Sequence, residues 1–478
     1  MKPIIKIWVL LELVSSVIQA AGKPNVVFIL ADDLGCADLG CYGSTFYETP
    51  NLDRLAHRGM RFTDAYAACS VCSPTRARIL TGKAPVRLHL TDWLPGRGDR
   101  PDQKLAGPQF QMFLPLEEVT LAETLKGAGY QTAFFGKWHL GESPDYFPEH
   151  QGFEVNLGGC SLGHPPSYFS PYHVPNLPDG PPGESLNDRL TDEALAFMTR
   201  AQGKPFLLYL AHYAVHTPLQ AKPGVIAKYQ AKAEKLTAAG PQFISDHGRQ
   251  VRQVQDHPIY GAMVESLDDS VGRVMSKLTE LGLEGNTLII FTSDNGGLST
   301  AEGTPTSNLP LRAGKGWGYE GGVREPLIIS WPGVTEPGSV THEPVISMDY
   351  YPTLLDALNL PAMPQQALDG ASIMPVLRGG ALPERPLFWH YPHYSNQGGA
   401  PHGAVRMGDF KLIEWYEDMT AELFNLRDDL GEQHDLAQAN PAKTAEMVKQ
   451  LHAWRIKVDA QMPTPNPRWS ERSGSRVK

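Results

Sequence analysis

Short apolar runs alternate along this chain with longer stretches in which apolar residues recur every three or four positions. The short runs, rich in Val, Ile, Leu and Phe, predict buried strands of a parallel or mixed sheet at residues 25–30, 60–65, 131–135, 206–210, 287–292 and 327–331. The longer stretches predict helices at residues 51–59, 121–128, 263–281 and 348–358. Their alternation predicts an α/β fold with a large central mixed sheet flanked by helices.

The pattern changes where Gly and Pro cluster, between residues 370 and 384. Beyond that cluster, residues 404–416 and 421–425 read as antiparallel strands, and residues 443–458 as a closing helix. We therefore expect a main domain over residues 22–375 and a smaller C-terminal α+β subdomain over residues 376–478.

Acidic and amide side chains follow two of the predicted strands directly. Asp32 and Asp33 come after the first strand, and Asp294 and Asn295 come after the strand at 287–292. Open α/β sheets bind ligands beyond the carboxyl ends of their strands, and oxygen ligands suit hard divalent cations. These four residues are therefore a candidate cation site, although an aspartate pair considered alone is also typical of a solvated turn that caps a helix.

Cys72 heads the segment CSPTRARILTG, in which Pro74, Arg76 and the pair Thr81-Gly82 stand at fixed offsets from the cysteine. Pro74 and Gly82 predict a helix between them, which would place Cys72 at a positive helix N-terminus that favours an anion. A lone cysteine in an exported protein is more often structural. The accompanying motif makes Cys72 a candidate catalytic residue, with Arg76 available to hold an anionic group.

Basic side chains follow the other strands. Lys137 and His139 lie two residues apart after the strand at 131–135, which suits a tetrahedral oxyanion. His216 follows the strand at 206–210 and is a candidate acid for a leaving oxygen, since imidazole donates a proton near neutral pH, whereas His212 fits a structural role. Lys315 lies in a glycine-rich segment that permits close backbone approach to a ligand.

Substrate contacts are predicted in three places. Trp93 lies in a loop beside the cysteine motif and could stack on a sugar face, or simply pack at the surface. His390 and His393 lie at the entry to the C-terminal subdomain and could line the pocket. Residues 158–182 are dense in Gly, Pro, Ser and Tyr, which predicts a long loop or lid.

Composition excludes several classes of protein. The chain has 478 residues, of which 41% are hydrophobic and 20% charged, as in ordinary globular proteins. Its formal charge of −10 argues against nucleic acid as a partner.

If Cys72 is converted, four other cysteines remain: Cys36, Cys41, Cys69 and Cys160. They allow three pairings, which the sequence does not distinguish, or all four could be free.

The N-terminus predicts export. Lys2 and Lys6 precede an apolar run at residues 7–18, and Gln19-Ala20 forms a possible cleavage edge. We expect a signal peptide over residues 1–20 and a periplasmic or secreted protein. The run is too short to span a membrane, and no other stretch approaches the required length.

Taken together, these blocks resemble the formylglycine-dependent, type I sulfatases of the alkaline phosphatase superfamily. The resemblance covers nearly the whole chain after the signal peptide, and its blocks are ADD at 31–33, CSPTR at 72–76, GKWHLG at 136–141, HTP at 216–218, SDNGG at 293–297, GKG at 314–316 and ELFNLRDD at 422–429.

The resemblance implies a role for each matching residue. A maturation enzyme, formylglycine-generating or equivalent, would oxidise Cys72 to formylglycine. Asp32, Asp33, Asp294 and Asn295 would bind calcium, rather than magnesium, together with residue 72. Arg76 and His139 would steady the hydrated aldehyde. Lys137 and Lys315 would hold sulfate oxygens, and His216 would protonate the leaving group.

The sequence leaves the substrate open. A sulfated carbohydrate, of galactose or N-acetylgalactosamine type, is the preferred class, and an aryl sulfate is the alternative. A phosphate or phosphonate ester would suit the same charge pattern. A protein that binds sulfated glycans without turnover is the alternative outside enzymes.

Overall fold

The computed structural model describes residues 22–237, 240–361 and 366–470. The predicted signal peptide, residues 1–20, lies outside this part of the chain. Within it, seventeen strands are formed: β1 Asn25–Ala31, β2 Met60–Tyr66, β3 Leu105–Ala106, β4 Gln131–Gly136, β5 Val155–Leu157, β6 Phe206–Ala211, β7 Phe243–Asp246, β8 Arg249–Arg252, β9 Thr287–Ser293, β10 Arg324–Ser330, β11 Ser339–Thr341, β12 Val345–Ile346, β13 Leu387–Tyr391, β14 His402–Met407, β15 Phe410–Trp415, β16 Thr420–Asn425 and β17 Thr464–Pro465.

The α-helices of the same residues include one at each predicted position. They are α1 Pro50–Arg58, α2 Cys72–Thr81, α3 Pro85–Leu88, α4 Leu121–Gly127, α5 Leu186–Arg200, α6 Pro223–Ala233, α7 Pro258–Glu280, α8 Glu320–Val323, α9 Tyr350–Ala357, α10 Met374–Leu377 and α11 Pro441–Lys457. Of these, α5 and α6 were not predicted. Short 3-10 helices add single turns at Cys36–Asp38, Gly40–Tyr42, Pro144–Tyr146, Pro148–His150, Glu284–Asn286 and Ser347–Asp349.

A nine-stranded mixed sheet forms the centre of the molecule, in the order β11-β2-β10-β9-β1-β6-β4-β5, with β12 also paired to β2. Strand β1 pairs in parallel with both β6 and β9. Strand β10 is antiparallel to β9 and to β2, so it runs opposite to its neighbours. The predicted large mixed sheet flanked by helices is confirmed.

The sheet is buried on both faces because alternate side chains of each strand enter different cores. In β1, Val27 and Ile29 pack into a core shared with α5 and α7, whereas Val26 and Phe28 pack into one shared with α2, α4 and α9. This is why the strand reads as a continuous apolar run rather than an alternating one.

A second, four-stranded antiparallel sheet forms after residue 386, in the order β13-β14-β15-β16, with α11 packed against it. The sequence predicted its antiparallel strands and closing helix, although β13 was not anticipated. The chain then returns to the main domain, where β17 pairs with β3.

Two further sequence questions are answered by the fold. All five cysteines are free thiols, so none of the three possible pairings forms. Among the described residues, no helix is both long enough and apolar enough to cross a membrane.

Candidate active site

The polar residues that follow the parallel strands meet at one edge of the central sheet. Asp32 and Asp33 follow β1, and Asp294 and Asn295 follow β9, its parallel neighbour. All four side chains are fully buried. Asp33 adopts a left-handed backbone with φ of 61°, and its N–H donates to Asp294 Oδ1 at 3.2 Å. The strand pairing therefore brings two sequence segments about 260 residues apart into direct contact.

Cys72 is the first residue of α2 and lies at this same edge. Its sulfur and the carboxylate oxygens of Asp32 and Asp294 all lie within 4.8 Å of one another. The helix ends at Gly82, whose φ of 67° supplies the left-handed C-cap that glycine adopts most readily. The helix starts two residues earlier than the proline predicted, which places Cys72 itself in the first turn, where the helix dipole favours negative charge.

The unmodified thiol is poorly suited to nucleophilic attack. Burial raises the pKa of Cys72 to about 11, although Lys137 and Lys315 oppose the shift. With that pKa the thiol stays protonated at neutral pH, and the reactive form of cysteine is the thiolate.

Three buried cations balance the three buried carboxylates of the site. Lys137 Nζ lies 2.7 and 2.9 Å from the two oxygens of Asp32. Lys315 Nζ lies 2.7 and 2.8 Å from those of Asp33. The third pair is Arg76 with Asp294, joined by Nε to Oδ2 at 2.8 Å.

Arg76 also donates from NH1 to the backbone oxygen of Lys137 at 2.8 Å. It therefore links the segment after β4 to the carboxylates after β1 and β9. A lysine could not make both contacts, because only the guanidinium presents several donors in a rigid plane.

The neighbouring charges shift the pKa values of Asp33 and Lys315. Burial would raise the pKa of Asp33, but Lys315, His216 and Lys137 hold it well below its usual value. Burial would lower the pKa of Lys315, but Asp33 and its neighbours raise it well above the usual range. Asp33 and Lys315 are therefore both ionised, as a buried pair requires.

The two candidate histidines take different positions. His139 has a left-handed backbone with φ of 58°, so it does not continue the extended segment from Lys137 as the sequence suggested. Its Nε2 makes a short hydrogen bond with the Leu94 carbonyl, and its Nδ1 is buried without a partner. His216 Nδ1 is 2.9 Å from the Thr217 carbonyl, and its Nε2 faces Asp33 Oδ2 at 3.5 Å.

Both histidines are held neutral by their surroundings. Burial lowers the pKa of His139 well below its usual value, with Lys137 contributing in the same direction. Burial and Lys315 likewise lower the pKa of His216, against the opposing effect of Asp33. His212, by contrast, is a buried structural residue whose Nε2 bonds Ser270 Oγ at 2.9 Å.

The donor set fits a hard divalent cation. Three carboxylates and one amide converge, and Asn295 Oδ1 is buried with no hydrogen-bond partner. The amide nitrogen of Asn295 donates to Asp33 Oδ1 at 2.8 Å, which fixes the orientation of the side chain. An orphaned buried acceptor costs free energy unless something binds it, and oxygen donors are the ligands that calcium and magnesium take.

Two of the three residues predicted to read a substrate are buried and hydrogen-bonded within the protein. His390 is buried, with Nδ1 bonded to Tyr416 Oη at 2.7 Å and Nε2 to the Gln461 carbonyl at 2.9 Å. Because both ring nitrogens are occupied within the protein, the expectation that His390 contacts substrate is wrong.

His393 and Trp93 are also packed within the protein. His393 is buried and its Nε2 bonds Thr91 Oγ1 at 2.9 Å, which is the contact of a structural side chain. Trp93 is partly buried against Cys69, Val71 and Tyr391. Its indole N–H is buried without a partner, so a substrate contact by Trp93 remains a prediction.

Three side chains that contact His216 or its neighbours were not singled out from the sequence. A carboxylate oxygen of Glu302 lies within 4.8 Å of both Asp33 and His216. The ring of His164 stacks on that of His216, with centroids 5.9 Å apart. The third is Gln397, which donates from Nε2 to Glu302 Oε1. His164 lies in the loop predicted as a lid, but Glu302 lies in a stretch without any pattern.

Comparison with known proteins agrees with this geometry. Residues 24–360 match the family model Sulfatase, and residues 313–461 match the model of the N-sulphoglucosamine sulphohydrolase C-terminal region. Arylsulfatase A of Homo sapiens is 34% identical, covering 93% of this chain and 90% of its own length. N-acetylgalactosamine-6-sulfatase of Sus scrofa is 36% identical, and the match covers 85% of this chain and 76% of that protein.

Solved structures give the same result. The crystal structure of Ps i-CgsB superposes with a TM-score of 0.75 and 30% identity, covering 91% of this chain and 93% of that chain. The same protein in complex with k-i-k-neocarrahexaose matches equally well.

The central mixed sheet and the charged cluster at its edge define an enzyme of the alkaline phosphatase-like fold. Within that class, the family match over most of the chain is decisive: the chain belongs to the sulfatase family. It is a sulfuric ester hydrolase, so the alternatives of a phosphate or phosphonate esterase and of a binding protein without turnover are set aside.

Proposed function

We propose that this sulfatase removes sulfate from a sulfated carbohydrate of galactose or N-acetylgalactosamine type, using formylglycine formed from Cys72 and one bound calcium ion. The observation that carries the proposal is the position of Cys72: it heads a buried helix with its sulfur within 4.8 Å of two carboxylates.

A protonated thiol is a weak nucleophile, whereas an aldehyde hydrate would supply two hydroxyls on one carbon. One hydroxyl of the hydrate attacks sulfur and releases the alcohol, and loss of the proton from the other then expels sulfate and restores the aldehyde. Because Cys72 is only 2% exposed, the maturation enzyme would have to act before folding is complete.

The surrounding side chains would divide the remaining tasks. Arg76 and the unpartnered Nδ1 of His139 are suited to hold the two hydroxyls of residue 72. Lys137 and Lys315 are buried ammonium groups suited to sulfate oxygens. An incoming sulfate would oppose both lysines and so favour the protonated form of His216, which would then donate its proton to the leaving oxygen.

Asp32, Asp33, Asp294 and Asn295 would hold the cation, whose contribution would be to withdraw charge from oxygens of the substrate as the transition state forms. Oxygen donors suit both calcium and magnesium, and the resemblance to type I sulfatases favours calcium. Asn295 supports the proposal most directly, because its Oδ1 is otherwise a buried acceptor left unsatisfied.

The substrate class rests on the relatives and on the polar side chains beside His216. One relative is named for N-acetylgalactosamine sulfate, and a solved relative was crystallised with k-i-k-neocarrahexaose. His164 and Glu302 present hydrogen-bonding groups beside His216, as recognition of a sugar would require. The predicted signal peptide supports export to the periplasm or the medium, where such polymers are met.

The proposal is tested by mass spectrometry of the peptide that contains residue 72, from protein made in its native host. Formylglycine makes that peptide lighter through exchange of sulfur for oxygen and loss of two hydrogens. Cys72→Ala should abolish turnover of galactoside sulfates and leave the melting temperature near that of wild type. An unmodified thiol in fully active protein would refute the proposed nucleophile.

A further inference from the structure

Glu302 forms a cluster with Asp33 and His216. Unlike these two buried residues, Glu302 reaches solvent. The proposed mechanism gives it no task. Each of its partners has one: Asp33 pairs with Lys315, and His216 faces the leaving oxygen. A carboxylate beside the proton donor, at the mouth of an anion-binding site, has to be explained by something other than sulfate, since sulfate would repel it.

The backbone around Glu302 is held in an uncommon conformation. Glu302 has φ of 55°, Gly303 of 87° and Thr304 of 43°. Left-handed backbone is sparsely populated by residues with a side chain, and such strain persists where the surrounding structure enforces it. Here it directs a carboxylate towards the pocket instead of towards bulk solvent.

The carboxylate is also fixed from the C-terminal subdomain. Gln397 is 3% exposed, donates from Nε2 to Glu302 Oε1, and keeps its own Oε1 buried without a partner. Its backbone oxygen accepts bonds from Thr300 Oγ1 and Trp317 Nε1, both at 3.1 Å. Gln397 therefore connects the loop of Glu302 to the segment that carries Lys315.

The distance between Glu302 and His216 suits a sugar that contacts both side chains. A carboxylate oxygen of Glu302 and a ring nitrogen of His216 lie within 4.8 Å, so polar groups on two adjacent sugar carbons can contact both side chains at once. A sugar whose ester oxygen faces His216 would therefore bring the polar group on the next carbon within reach of Glu302. A neutral donor, a hydroxyl or an amide N–H, would form a charge-assisted hydrogen bond there.

We propose that Glu302, oriented by Gln397, is a specificity residue that accepts a hydrogen bond from a neutral donor on the sugar carbon next to the sulfate ester. The same charge disfavours substrates that carry a second sulfate or a carboxylate at that carbon, so discrimination works by both attraction and repulsion. This inference rests on the proposed carbohydrate substrate and deepens it.

The test couples one substrate group to one side chain. Methyl galactosides sulfated at O2, O3 or O4 are assayed with wild type, and the best substrate is then prepared with each hydroxyl on a neighbouring carbon methylated. A wild type that cleaves only the O6 sulfate would overturn the inference, because C5 carries no donor. Wild type should lose about 10- to 100-fold in kcat/KM for one ether, as expected for a bond to a charged group. Glu302→Gln should show less than about threefold difference between that ether and its parent.

Two controls separate the alternatives. Glu336→Gln, an exposed glutamate at the opposite edge of the sheet, should behave as wild type on every substrate. If Glu302→Gln loses activity equally on the parent and on the ether, Glu302 acts through His216 or Lys315 and the inference is overturned. Indifference of wild type to all the ethers would overturn it as well.

The carbohydrate proposal fails in a different way. A wild-type enzyme that hydrolyses 4-nitrophenyl sulfate but none of the galactoside sulfates would refute the proposed substrate class, whatever the Glu302 variant does.

Discussion

Lys411 lies at the centre of a buried charge cluster between the two sheets, and replacing it with methionine tests how that junction is held. Its ammonium group is 2.8 Å from Glu320 Oε1 and 3.0 Å from Glu432 Oε1, and all three side chains are fully buried. Glu320 opens α8, and its backbone N–H donates to Glu432 Oε2 at 2.6 Å. The cluster therefore joins β15 to the segment that follows Lys315.

The expected cost follows from which charges lose their partner. In Lys411→Met, Glu320 keeps Arg324 Nε at 2.6 Å and Tyr66 Oη at 2.8 Å, whereas Glu432 is left without a cation. Removing one member of a buried ion pair destabilises by about 3–5 kcal/mol because the remaining charge is uncompensated. We expect a loss of that size in the free energy of unfolding at pH 8.

The pH dependence adds a second signature. Burial raises the pKa of Glu432, and Lys411 opposes that shift, so the variant should raise the pKa further. A carboxyl whose pKa is higher in the folded than in the unfolded state binds more protons when folded, so stability rises as pH falls. The deficit of Lys411→Met should therefore shrink between pH 8 and pH 5.

Denaturant unfolding followed by tryptophan fluorescence measures these differences. Lys104→Met is the matched control, since Lys104 pairs with Glu417 at 3.4 Å while half exposed, and it should cost less than about 1 kcal/mol. Adding Glu432→Gln to Lys411→Met should restore about 2 kcal/mol. A single variant that costs less than about 1 kcal/mol, or a double variant less stable than the single one, would refute the reasoning.

Three more predictions concern the site and the pH range. His216→Ala should lower kcat far more for galactoside sulfates than for 4-nitrophenyl sulfate, because an activated phenol leaves without a proton; equal losses in the two assays would give His216 another role. Removal of divalent cations with a chelator should abolish turnover, and calcium should restore it better than magnesium; full activity of a metal-free sample by elemental analysis would exclude the cation. Burial lowers the pKa of His390 to about 4, so neutral imidazole stabilises the fold above pH 6.5 and this contribution is lost as pH falls towards 4. His390→Gln should therefore flatten the stability profile over that window by about 3 kcal/mol, and an unchanged slope would count against the assignment.

Much of the fold could be read from the chain because its signals are local. Residues 26–30 are apolar at every position since β1 is buried on both faces, and the glycine at 82 ends α2 because it takes a left-handed backbone. The site residues Asp32, Cys72 and Asp294 were recognisable for a related reason: each follows a predicted strand or begins a predicted helix.

Other features depend on contacts between distant segments. The direction of β10 follows from its pairing with β2 and β9, and its apolar run is the same in either direction. His390 was expected in the pocket, yet a strand pattern does not say which face a side chain takes, and Tyr416 and Gln461 occupy both of its nitrogens.

The amino-acid sequence by itself determined the main buried strands of the central sheet, several of its helices and the identity of the charged groups at the strand ends, because periodicity and local motifs depend on neighbouring residues. It did not indicate α5 or α6. Only the tertiary structure decided that five cysteines stay unpaired, that Glu302 lies beside His216 and that Gln397 bonds to Glu302. Those relations depend on how loops from separate parts of the chain pack over one sheet edge, and local sequence patterns do not show which distant segments come into contact.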